Sequence, residues 1–95
     1  MDKTLLTRLQ NWYLTNCDGD WEHSYGISIA TLDNPGWTVK IDITDTCLQS
    51  LIYEKQEENG SFDWLLIKTS NQVIECSGDP TKLATILTIF LDEIV

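Results

Sequence analysis

Leu5, Leu6, Leu9, Trp12 and Tyr13 recur at three- and four-residue spacing, which predicts a helix over residues 2–15 with one apolar stripe and Asp2 as its N-cap. Asn16 to Asp20 should end it. From Ile27 the period changes to two. Ile27 and Ile29 alternate with Ser28 and Ala30, and Trp37, Val39, Ile41 and Ile43 alternate with Thr38, Lys40 and Asp42, the pattern of two half-buried strands. Between them "LDNPGW" predicts a type II turn, with Pro35 fixing φ at the first central position and Gly36 supplying a positive φ at the second. "LIYEKQE", "FDWLLIKT" and "QVIECS" predict three more strands, joined at Asn59-Gly60 by a type I′ turn and at Ser70-Asn71. Asp79 before Pro80 reads as the cap of a last helix, whose stripe is Leu83, Ile86, Leu87, Phe90 and Ile94.

The expected fold class is α+β: an N-terminal helix, a five-stranded antiparallel sheet made of a hairpin plus a three-stranded meander, and a C-terminal helix packed on the sheet. Ninety-five residues fit a single domain, residues 1–95, with one modest core. One feature resists simple alternation. Trp64 and Leu66 point to one face of their strand while Leu65 and Ile67 point to the other, and Val73 opposes Ile74 and Cys76. Either helices or loops cover both faces, which is the preferred reading, or one face keeps an apolar patch for a partner or for a homodimer.

Fifteen acidic against six basic residues give a net charge of −9, which argues against nucleic acid and anionic membranes as partners and favours a basic protein. The first residues carry charge throughout and lack the apolar core of a signal peptide, and "WLLI" and "IFL" are too short to span a bilayer. Cys17, Cys47 and Cys76 match no zinc or CxxC spacing, so reduced thiols in a cytoplasmic protein are expected.

Candidate chemistry centres on "CDGDWEHSYG". Asp18, Asp20, Glu22 and His23 offer metal-binding side chains, but Gly19 falls between the first two acids and position twelve counted from Asp18 is Ile29, so no EF-hand loop fits. Cys17 with His23 could form a thiol nucleophile, yet no nucleophile elbow or Gly-rich phosphate loop accompanies them. A metal-dependent or thiol enzyme centred on Cys17, Asp18, Asp20 and His23 is therefore the alternative, and the main expectation is no enzyme, no metal and no cofactor. Acidic side chains beside Trp and Tyr suit a surface for a basic protein site.

"WYLTNCDGDWEHSYGISIATLDNPGWTVKIDIT", Trp12 to Thr44, closely resembles the signature of the immunity protein 53 family of bacterial polymorphic toxin systems, and "DWLLIK" and "LATILTIFLDEIV" resemble its later elements. The resemblance implies a protein that binds a cognate toxin stoichiometrically and blocks it, without catalysis. Combining it with the charge nominates Asp18, Asp20, Trp21, Glu22, His23, Asn34 and Trp37 as the toxin-binding surface, with a basic toxin, such as a nuclease, as partner. The two-faced apolar sheet is the competing surface.

Overall fold

The computed structural model describes residues 3–95, so the Asp2 cap lies outside the described residues. Helix α1 spans Lys3–Asn16, and a four-residue helix α2, Trp21–Ser24, follows the acidic loop. Strands β1 (Ile27–Leu32), β2 (Gly36–Asp42), β3 (Glu54–Gly60), β4 (Asp63–Ser70) and β5 (Val73–Gly78) precede α3 (Leu83–Ile89), whose last turn, Phe90–Ile94, widens to π geometry. The sheet is antiparallel throughout, in the order β1-β2-β5-β4-β3. Hairpin and meander thus join through β2 and β5, and the architecture is the α+β one that the hydrophobic pattern predicts.

Cross-strand register explains which alternate residues are buried. Val39 stands opposite Cys76 and Cys76 opposite Ile67, while Ile41 faces Ile74, and all of these are buried on one face together with Leu65. Both helices press on that same face. Leu5, Leu9 and Trp12 of α1 and Ile86, Leu87, Ile89 and Phe90 from the C-terminal helix enter one core with them. Of the predicted α1 stripe, Leu6 and Tyr13 lie at its flank and are exposed. Trp12 is the wedge between the layers, meeting Phe90 edge-on at 5.0 Å and Trp21 edge-on at 6.1 Å between ring centroids. Arg8 adds a polar tie, donating to the Leu91 carbonyl at 3.2 Å and pairing with Asp92.

The expectation that helices or loops cover both faces is not met. Trp64, Leu66 and Val73 are half-buried and take no part in the core. Their face is carried by rows of paired residues: Gln56, Leu66, Ser77, Thr38 and Ala30 form an uncharged row, and Glu54, Lys68, Glu75 and Lys40 form a row of alternating sign. Opposite charges directly across strands stabilise a solvated sheet surface.

Each predicted connection except the first helix's end shifts in detail. Gly36 does not adopt positive φ; it is the first residue of β2, paired with Leu32, and Asp33, Asn34 and Pro35 close the hairpin. Its lack of a side chain serves proximity, since a Cβ there would lie 2.4 Å from the Gly78 carbonyl oxygen. The β3–β4 turn falls at Ser61-Phe62, with a register shift between Glu58 and Gly60 in place of a type I′ turn at Asn59-Gly60. The β4–β5 turn is Asn71-Gln72, with φ of 53° and 62°, the pair of positive values that a type I′ turn requires. Gln72 tolerates this because it is bonded on three sides: its carbonyl accepts from the Ile43 amide, its Oε1 from the Thr44 hydroxyl, and its Nε2 donates to the Gln49 carbonyl. Those bonds fasten the segment that crosses from β2 to β3, so Leu51 to Tyr53 belong to that crossing and the strand begins at Glu54.

Asp79 is not the cap of α3, which starts at Leu83. Its carboxylate is fully buried and accepts from the Trp64 amide (2.9 Å), the Thr81 amide (2.8 Å) and the Thr81 hydroxyl (2.6 Å), with the Lys82 ammonium at 3.1 Å. Desolvation pushes its pKa up, and these donors outweigh it and hold the carboxyl well below the usual carboxylate range. It fixes the start of β4 to the approach of the helix.

Two outcomes follow from these contacts. Gly36→Ala should destabilise the fold by about 1–3 kcal/mol through overpacking, whereas Gly26→Ala, with nothing within 4 Å of the added carbon, should leave thermal unfolding nearly unchanged. A depressed carboxyl contributes stability above its unfolded pKa and loses it as pH falls, so wild-type stability should decline below about pH 4. Asp79→Asn should be less stable at neutral pH and should lose less on acidification in the same denaturation series.

Candidate functional site

The acidic loop is organised by its own carboxylates. Asp18 Oδ1 accepts from the Asp20 amide at 2.9 Å and the Trp21 amide at 3.0 Å. Glu22 returns the favour to the loop's start, accepting from the Asp18 amide at 3.0 Å and the Gly19 amide at 2.9 Å. Gly19 has a φ of 98°, a conformation in which a side chain is strained, so it suits the bend between the two acids. This reciprocal arrangement does for the short α2 what a capping box does for a longer helix. Backbone donors favour the ionised form, and both carboxyls are held below their ordinary values: Asp18 by the Trp21 and Asp20 amides, Glu22 by its own amide and those of Asp18 and Gly19, with nearby His23 adding to the effect.

Trp21 is 4% exposed. Its indole N–H donates to the Thr44 carbonyl at 2.9 Å, and its ring packs against Trp12, Tyr13 and Tyr25. It is the loop's anchor to the core, and the outward surface is made by its neighbours: Asp18, Asp20 and His23 are exposed, and Glu22 is half-buried. Asp42 clamps the loop's far end, accepting the Gly26 amide at 2.9 Å and donating its own amide to the Gly26 carbonyl at 3.0 Å.

The seven nominated residues do not form one patch. Asn34 is exposed in the β1–β2 turn, and Trp37 is half-buried beside it, its indole donating to the Pro80 carbonyl at 3.0 Å. Five residue-to-residue steps of extended strand, about 17 Å, separate Trp37 from Asp42 at the loop. The "NPGW" turn is therefore at the opposite end of the hairpin from "CDGDWEHSYG", although adjacent sequence suggested one surface. The fold supplies Asp45 instead. Asp18, Asp20 and Asp45 line an open depression of about 440 Å³ together with Trp21, Ser24 and Tyr25. Asp45 sits at φ 60° in "TDT", a position that Asp accepts more readily than most residues, and that local turn was the only signal for it.

Among the described residues, no group of three or more His, Cys, Asp or Glu side chains converges as a metal site. Asp18 and Glu22 are engaged with amides, and the Cys17 thiol donates to the Tyr13 carbonyl at 3.3 Å. Burial pushes the Cys76 thiol up to about 12, which leaves it protonated inside the core. The arrangement presents carboxylates held at fixed positions on an exposed loop. No helix among the described residues is long and apolar enough to cross a membrane.

The sequence model of the immunity protein 53 family matches residues 6–94, from the first helix through the acidic loop and all of the sheet to the last turn. The chain belongs to the immunity protein 53 family. No curated protein and no solved structure matches it. Membership accounts for the resemblance carried by Trp12 to Thr44 and by the later "DWLLIK" and "LATILTIFLDEIV". An immunity role suits a domain whose conspicuous surface is charge held in place.

Anchor and surface are separable by mutation. Trp21→Ala should cost about 3–5 kcal/mol of folding free energy, while exposed His23→Ala should stay within about 0.5 kcal/mol, both read from denaturant midpoints.

Proposed function

We propose that this chain is an immunity protein that binds a cognate bacterial toxin stoichiometrically and neutralises it by occupying its surface, with no reaction of its own. The family match over residues 6–94 carries this reading. The toxin-facing surface is the acidic end of the sheet: Asp18, Asp20, Glu22 and His23 of the loop, with Asp45 and Tyr25 beside them. Trp21 serves it from below, and Asn34 and Trp37 form a separate surface at the other end.

The net charge of −9 supports a basic partner, of which a nuclease cleft is the natural kind. Carboxylates held at fixed positions can stand where phosphates would, and their field acts beyond contact, raising the rate of encounter. Asp18 and Glu22 stay ionised because amides hold them so, and their geometry is set before the toxin arrives. Preorganisation of this kind reduces the ordering cost of binding. The protein would act in the cytoplasm of the producing cell, where three free cysteines stay reduced.

The uncovered sheet face supports a second reading. Its uncharged row ends near Trp64, which stands opposite Glu58, so an aromatic anchor is available there for a toxin or for a homodimer.

The charges can be removed without disturbing the loop's hydrogen bonds. In Asp20→Asn/Asp45→Asn, association with the toxin domain encoded in the adjacent reading frame should slow by about tenfold at low ionic strength, with dissociation changed far less. Stopped-flow measurements across salt concentrations check this; an unchanged association rate would reject the acidic end as the docking surface.

A further inference from the structure

The sheet leaves two edges, and they differ. β3 carries Glu54, Lys55, Glu57 and Glu58, charges of the kind that keep another chain from pairing with an edge. β1 reads ISIATL, has no charge, and exposes Ser28, Ile29, Ala30 and Thr31. Because the Asp42 amide bonds the Gly26 carbonyl, the antiparallel register directs Ser28, Ala30 and Leu32 toward β2 and turns the N–H and C=O groups of Ile27, Ile29 and Thr31 outward.

An apolar groove of about 460 Å³ lies on the helix side at the Ile27 end of this edge, lined by Leu9, Gln10 and Tyr13 of α1 and by Tyr25, Gly26 and Ile27. Leu6, on the same α1 stripe as Gln10 and Tyr13, is 44% exposed. Tyr25 also lines the depression that holds Asp18, Asp20 and Asp45, so the groove and the carboxylates are neighbours that share one side chain.

We propose that β1 is the docking edge for an extended segment of the toxin, which pairs with β1 as a sixth strand, sets alternate apolar side chains into the groove along α1, and places a Lys or Arg over Asp20 and Asp45. This rests on the toxin-binding reading above and specifies its partner as an uncharged strand with a basic end. Main-chain bonds would supply affinity, and the groove and carboxylates would supply selection. A second copy of the chain fits less well. In the two-fold pairing that sets Ile29 against its own counterpart, Ile27 meets Thr31, and Asp33 is carried to Tyr25 and the acidic depression of the other copy. Each copy also brings a charge of −9.

Amide hydrogen exchange followed by NMR tests the proposal, with the toxin domain from the adjacent reading frame, catalytically inactivated, as probe. The Ile27, Ile29 and Thr31 amides should exchange fast in the free chain and become protected in the complex. Thr31→Pro deletes one outward donor and spares the β1–β2 ladder, and Ile29→Lys charges the edge; each should weaken binding about tenfold or more while the remaining amide spectrum stays native. If the wild type binds but these amides stay fast and both variants bind as well as it does, the edge proposal falls and toxin binding stands. No complex at micromolar concentrations overturns both. Protection that grows with the concentration of the free chain assigns the edge to a second copy and overturns the toxin strand.

Discussion

Burial from one side governs this molecule. Both helices lie against the same face of the sheet, and Trp12, wedged edge-on between Phe90 and Trp21, joins the first helix, the last helix and the acidic loop into one packed unit. A chain this short has apolar surface enough for one core. Having placed it on one side, the fold leaves the opposite sheet face and the outer edge of β1 without cover. The surfaces left open by the packing, and the loop anchored by it, are where a partner can bind.

The acidic loop shows how a small domain can hold like charges together. Repulsion between Asp18 and Glu22 is offset by four backbone amides that bond them, and the bend is made possible by Gly19. Fixing the loop to a buried indole removes freedom that binding would otherwise have to remove. On the proposed reading the chain need only present a surface. The exposed carboxylates remain subject to salt screening beyond about 8–10 Å, so in the proposed complex their part is to guide approach, with apolar contacts holding it.

Much of the fold was legible because alternation is a strong signal: Val39 and Ile41 were placed by period, while for Leu65, Ile67, Ile74 and Cys76 period gave only the division into faces, and the position of the helices decides which face is the core. The turns were less so. Asn59-Gly60 and Pro35-Gly36 carry turn composition, yet pairing register moved one turn two residues on and made Gly36 a strand residue that clears the Gly78 carbonyl. Asp79 has the chemistry of a cap, and tertiary contact with Trp64 turned it into a buried brace. The site was half legible. Local spacing found the loop, and the predicted strand from Trp37 onward already implied a strand's length between Trp37 and the loop; that Asp45 joins Asp18 and Asp20 was not legible, because it depends on the path of the chain after β2.

Hydroxyl-radical footprinting of the proposed complex with a toxin domain tests in one experiment which open surface meets the partner. Docking at the acidic end should cost His23 and Tyr25 their reactivity while Trp64 and Phe62, on and beside the far part of the sheet, keep theirs. Loss of reactivity at Trp64 with His23 and Tyr25 unchanged would contradict it and move the interface to the uncovered sheet face.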